Sequence, residues 1–148
     1  MNKNLWIIIL ALGCVACGRQ PSRDLGEFAG YVEKFESVSI AQGRPVRVED
    51  LKMKFAQMDR PTEQAVCILQ TDEQPQINVN KAAWDRMTET ERQSVIFHEL
   101  GHCVLLRKHV NALDSDNDPI SLMNPYALDP TVYEAKMDHY HQELFHNR

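Results

Sequence analysis

The stretch His98-Glu99-Leu100-Gly101-His102 constrains this chain more than any other part of it. Residues four apart on a helix differ by about 40° in azimuth and about 6 Å along the axis, so His98 and His102 project from one face, close enough to share a metal ion. Glu99 follows the first of them, where it can reach a water on that metal without ligating it. Upstream, Thr88-x-x-Glu91 is a capping box that opens the helix. Val95, Ile96, Leu100 and Val104 can then face a core while the two histidines face a cleft.

His109 lies seven residues after His102, and Ser121-Leu122-Met123-Asn124-Pro125 follows after a loop. With the first motif, these residues resemble the metzincin zinc peptidases, whose signature is His-Glu-x-x-His-x-x-Gly-x-x-His followed by a methionine-bearing turn. The resemblance covers roughly residues 95–126 with specific motifs. It implies one Zn2+ held by His98, His102 and His109, with Met123 as an apolar floor beneath the ligands. It implies peptide-bond hydrolysis through a zinc-held water, with Glu99 as general base. It also implies a small α+β domain, a short mixed sheet packed on the metal-binding helix with N- and C-terminal helices. Because the family pairs extended substrate with the strand before that helix, residues 77–80 become the expected pairing edge. Tyr126, three residues after Met123, is displaced from the position where some members carry a tyrosine near the metal, and packing is its expected role.

The match departs from the signature where the helix ends. Family spacing would put the third histidine at Lys108 and the glycine at Leu105, and one inserted residue moves them to His109 and Leu106. No glycine stands at either turn position. Were the helix to continue, His109 would sit about 10 Å beyond His102, too far for a common metal. The chain must therefore stop the helix and bend back, at a cost of about 1 kcal/mol or more if a non-glycine residue takes a positive φ.

Residues 1–13 have the marks of an export signal: Lys3, the apolar run from Leu5 to Leu12, then Gly13. The run is too short to span a bilayer, which needs about 20 residues. Leu10-Ala11-Leu12-Gly13-Cys14 resembles a bacterial lipobox, which implies lipidation at Cys14, with Cys17 as the alternative. The expected location is therefore the cell envelope, lipid-anchored to a membrane and either periplasm-facing or in the outer membrane. Residues 14–23 read as a tether and 24–148 as a single domain, long enough for one core and too short for two. Losing Lys3 with the leader makes the net charge of −5 more negative still, and no basic cluster suggests a nucleic-acid partner.

Within the domain, Leu25, Phe28, Val32, Phe35 and Ile40 recur at helical spacing up to Gln42-Gly43. Alternation at Val46 and Val48, and at Leu51, Met53 and Phe55, predicts strands, as do residues 65–69 and 77–79. Asp129-Pro130 starts a last helix that buries Val132, Met137, Tyr140 and Leu144. The run Asp114-Ser115-Asp116-Asn117-Asp118 has alternating oxygens like a calcium loop, but Pro119 replaces the required glycine, so a solvated loop is expected. His139, His141 and His146 are expected on the surface of the last helix. After processing, Cys67 and Cys103 are the pair left in the presumed folded domain, and a disulfide between them would brace the helix just past His102.

Two other readings stay open. Glu134-x-x-x-Asp138 resembles the third-ligand motif of the gluzincins, with Glu134 replacing His109 and Asp138 orienting His98. The other is a non-catalytic envelope lipoprotein, a binding module whose metal site is structural or vestigial. Under the catalytic readings the partner is a peptide or protein substrate.

Overall fold

A computed structural model describes residues 23–60 and 62–146, so Cys14, Cys17 and the leader lie outside the described residues. A 3-10 turn, Gly26–Phe28, leads into helix α1, Ala29–Ala41. Strands β1 (Lys52–Ala56), β2 (Ala65–Ile68) and β3 (Gln76–Asn80) follow, then the short α2 (Lys81–Trp84) and the long α3 (Glu89–Cys103). Two helices close the chain, α4 (Pro130–Ala135) and α5 (Met137–His146). This is a small α+β domain.

The sheet order is β1-β3-β2, with β3 parallel to β1 and antiparallel to β2. The last strand in sequence is thus the central one, and β2 is an edge. Residues 77–80 pair on both sides and cannot take a substrate strand, contrary to the expectation above. Runs of apolar residues reveal strands, but the order in which strands pair depends on packing that periodicity does not encode.

Phe28, at the mouth of α1, and Val32, Phe35 and Ser39 on it are buried in a 4-3-4 progression that leaves Ile40 62% exposed rather than packed. Gly43, at φ +68°, ends the helix as Gln42-Gly43 predicts. Val46 and Val48 form no strand, because their amides are taken by side chains of α1. Val46 N–H donates to Ser39 Oγ (2.9 Å) and Val48 N–H to Glu36 Oε1 (2.7 Å). Val48 is nonetheless fully buried. The core is aromatic where α1 meets α3 and α5: Phe35 lies 5.3 Å from Phe97 and 4.9 Å from Phe145, ring centre to ring centre. Such pairs each add about 0.5–1.5 kcal/mol beyond the area they bury.

The single C-terminal helix expected from Asp129 is two. The Asp129 carboxylate caps Thr131 and Val132, but the chain leaves helical geometry at Lys136 (φ −111°, ψ 20°). Lys136 instead reaches the acidic loop, its Nζ donating to Asp114 Oδ2 (2.6 Å) and Asp118 Oδ2 (2.7 Å).

Candidate metal centre

Helix α3 starts where its capping box places it. Thr88 Oγ1 accepts from the Glu91 amide, and the Glu91 carboxylate accepts from Thr88 N–H at 2.7 Å. Ile96, Phe97 and Leu100 are fully buried. That roll of the helix leaves His98 and His102 partly buried on one side, over a cleft of about 750 Å³.

Both imidazoles are held by backbone carbonyls. His98 Nδ1–H donates to Leu122 O at 2.8 Å, and His102 Nδ1–H donates to Arg107 O at 2.7 Å. A carbonyl can only accept, so each ring carries its proton on Nδ1 and turns a bare Nε2 inward. Burial holds His98 at a pKa of about 4 and lowers that of His102, so both are neutral at neutral pH. Their Nε2 atoms are 3.1 Å apart, and His109 Nε2 is 3.0 Å from that of His102. Two lone pairs facing at that distance repel, and a cation between them removes the conflict. The spacing is close to the edge of a tetrahedron, about 3.3 Å, whose centre lies 2.0–2.1 Å from each nitrogen as in zinc sites. The three ligand atoms all fall within 4.8 Å of one another, so the donor set fits a zinc ion.

How the chain brings His109 back is visible in its hydrogen bonds. Val104 N–H donates to Leu100 O in the ordinary way, but Leu105 N–H donates to the same oxygen, five residues back. Arg107 N–H then reaches Gly101 O at 2.9 Å. This widened final turn absorbs one extra residue. Leu106 takes the left-handed conformation, φ +55°, at the position where the shifted motif lacks its glycine. Leu106 is 70% exposed, so its side chain recovers little of that cost. Leu106→Gly is expected to stabilise the protein by about 0.5–1 kcal/mol, the relief of strain outweighing glycine's extra unfolded-state entropy. Thermal unfolding would register it as a rise of about 2–4 °C. A fall would mean that the Leu106 side chain contributes more to packing than its conformation costs.

The turn at 121–124 ties both ligand segments together. Leu122 O receives His98, and Met123 O accepts from Val110 N–H at 2.9 Å, next to His109. Ser121 Oγ accepts from the Met123 amide at 3.0 Å, fixing the turn. Met123 is fully buried against Gly101, where a Cβ would stand 2.4 Å from its sulfur. Gly101 is therefore needed for the close approach of helix and turn, not for a backbone conformation.

Glu99 is 7% exposed on the side of α3 that faces β2. Burial raises its pKa to about 7, offset in part by a hydrogen bond from the Cys67 backbone. Gln64 O accepts from Asn80 N–H, so even-numbered residues of β2 pair with β3 and odd ones face outward. Ala65 and Cys67 thus line the cleft with Glu99 and residues 124–128. A disulfide joins Cys67 to Cys103, Cα to Cα 5.6 Å, coupling this edge strand to the end of the ligand helix. Tyr126 stands at the cleft mouth, 73% exposed rather than packed.

Residues 27–122 match the family described as "Putative phage metallopeptidase". The chain belongs to that family. The matched span holds all three histidines and Glu99, stops one residue short of Met123, and leaves α4 and α5 outside. No curated protein and no solved structure matches the chain.

In this metallopeptidase-family domain several expected residues lie elsewhere. Glu134 is exposed on α4, away from the histidine cluster, and His98 is oriented by Leu122 O rather than by Asp138. His139 and His146 are exposed as expected, bonded to Ile120 O and Gln42 O. His141 is not: it is 6% exposed against Phe97. Gln93 Nε2 donates to Tyr133 Oη (2.9 Å), which leaves the Tyr133 hydroxyl to donate to His141 Nε2 (3.1 Å). Helical periodicity from Tyr140 and Leu144 would have found it, since 141, 144 and 145 share that face.

Burial lowers the His141 pKa, with Lys34 acting in the same direction and Asp138 opposing. A depressed histidine contributes stability that is present above its unfolded pKa of about 6.5 and lost as pH falls below it, because the unfolded chain then binds the extra proton. In urea titrations of the metal-loaded protein, wild type should therefore lose more stability between pH 7.5 and 5.5 than His141→Gln. Parallel losses would remove His141 from the account.

Proposed function

We propose that this chain is a zinc peptidase of metzincin type. The observation that carries the reading is the convergence of three imidazole nitrogens beside a buried carboxylate, in a cleft walled by a sheet edge. A bound zinc would supply Lewis acidity and lower the pKa of a water to about 7. His98, His102 and His109 hold the ion, their Nδ1–H bonds or loop position fixing each ring. Glu99 accepts the attacking water's proton on its carboxylate and returns it to the leaving amine. The outward N–H and carbonyl of Ala65 and the carbonyl of Cys67 would offer the extended substrate a main-chain edge, with residues 124–128 also lining the cleft. Met123 packs under the ligand helix.

The leader and Cys14, or Cys17 in its place, would tether the domain by lipid to the cell envelope, with peptides or proteins there as substrates. The test of the reading is metal content. Elemental analysis of the domain should give about one zinc per chain, lost or much weakened in His109→Ala and unchanged in Glu134→Ala. No zinc in a folded wild-type protein would end the reading.

A further inference from the structure

We propose that Arg107 and Glu143 are a positioning pair for the histidine site, holding His102 and the segment that carries His109 from helix α5. The inference rests on the zinc reading above. Arg107 is fixed at three points. Its amide donates to Gly101 O on α3 (2.9 Å), its carbonyl accepts from His102 Nδ1–H (2.7 Å), and its guanidinium grips α5. There Nη1 donates to Glu143 O at 2.9 Å, and Nη2 pairs with Glu143 Oε1. Both side chains are 8% exposed. The carbonyl that sets the His102 tautomer thus belongs to a residue whose side chain is anchored across the molecule, two positions before His109.

The pair is poorly explained as a stabiliser. A buried ion pair is often no better for stability than apolar residues of the same volume. Glu143 Oε2 is buried with no hydrogen-bond partner among the described residues, a costly arrangement. Such a cost is reasonable where orientation of a ligand is the gain, because partners one step removed from a metal set ligand geometry and affinity. Helix α5 is well placed for this: Leu144 Cδ1 would lie 3.2 Å from a Cβ at Gly101, between the two ligand histidines. Nothing in the family match assigns Glu143, which lies beyond the matched residues.

The experiment titrates metal-free full-length protein with zinc against a chelating dye and records the visible spectrum of the cobalt form. Arg107→Met should weaken zinc by about 10–100-fold and change the cobalt bands at unchanged stoichiometry. Glu143→Gln, which keeps the acceptors but not the charge, should weaken it less, and Arg107→Lys should recover part of the loss. Phe28→Leu, a core change whose ring packs on Phe55 and Trp84 rather than on the ligand helix or α5, should lower stability and leave zinc affinity as in wild type. Should Arg107→Met fail to fold, Glu143→Gln and Arg107→Lys decide. Wild-type affinity and spectrum in the folded pair variants would overturn the inference while leaving the zinc reading intact. Equal loss in Phe28→Leu would overturn it too, by reducing the effect to general destabilisation. A wild-type protein that binds no zinc would remove both.

Discussion

Glu99→Gln is expected to keep zinc at the wild-type level and to lower peptide hydrolysis by about 10²–10⁴-fold, the usual worth of a positioned proton acceptor. The substitution preserves size, and its carboxamide oxygen can still accept the Cys67 amide that now bonds Glu99. What disappears is the ability to take a proton and give it back. Turnover of a denatured-protein substrate, measured beside metal content, separates the outcomes. Hydrolysis within a few-fold of wild type would put the base elsewhere. Loss of metal together with activity would make Glu99 a structural residue rather than a base.

The second large effect concerns the sulfur bridge. Cys67 and Cys103 are 36 positions apart, and opening a loop of that length costs about 3–4 kcal/mol in the chain-entropy account. For a domain of this size that is a fall of about 10–15 °C in Tm. Cys67→Ala with Cys103→Ala, followed by calorimetry, should show it. Treatment of the wild type with a phosphine reductant should reproduce it. The bridge also connects two parts of the site, since Cys67 N–H faces Glu99 and Cys103 follows His102. A loss below about 1 kcal/mol would mean that α3 and β2 hold each other without it.

The centre of this protein was readable because its chemistry follows one helical period. His98, Glu99 and His102 need only a helix and its cap at Thr88, and both are local properties. His109 was readable as a residue, but the means of its return was not. A hydrogen bond from Leu105 to Leu100, one residue wider than a normal turn, and a leucine at φ +55° are solutions that propensity disfavours. The edge strand was misplaced for a different reason. Nothing in the alternation of residues 65–68 or 76–80 says that the later strand inserts between the earlier two. Val46 and Val48 alternate like a strand, yet Ser39 and Glu36 claim their amides first. Lys136 breaks the last helix because two aspartates far off in sequence attract its ammonium. These are tertiary decisions, and they override local pattern wherever a side chain offers the backbone a better partner.

That lysine has a practical corollary. The loop from Asp114 to Asp118 has its positive charge covalently built in, with Asp114 Oδ1 also accepting from the amides of Asp116 and Asp118. The carboxylates of Asp114 and Asp118 are therefore met by groups of the chain itself. Among the described residues the three histidines are the cluster that could hold a metal, so a change that a chelator produces in folding or activity is expected to report on them.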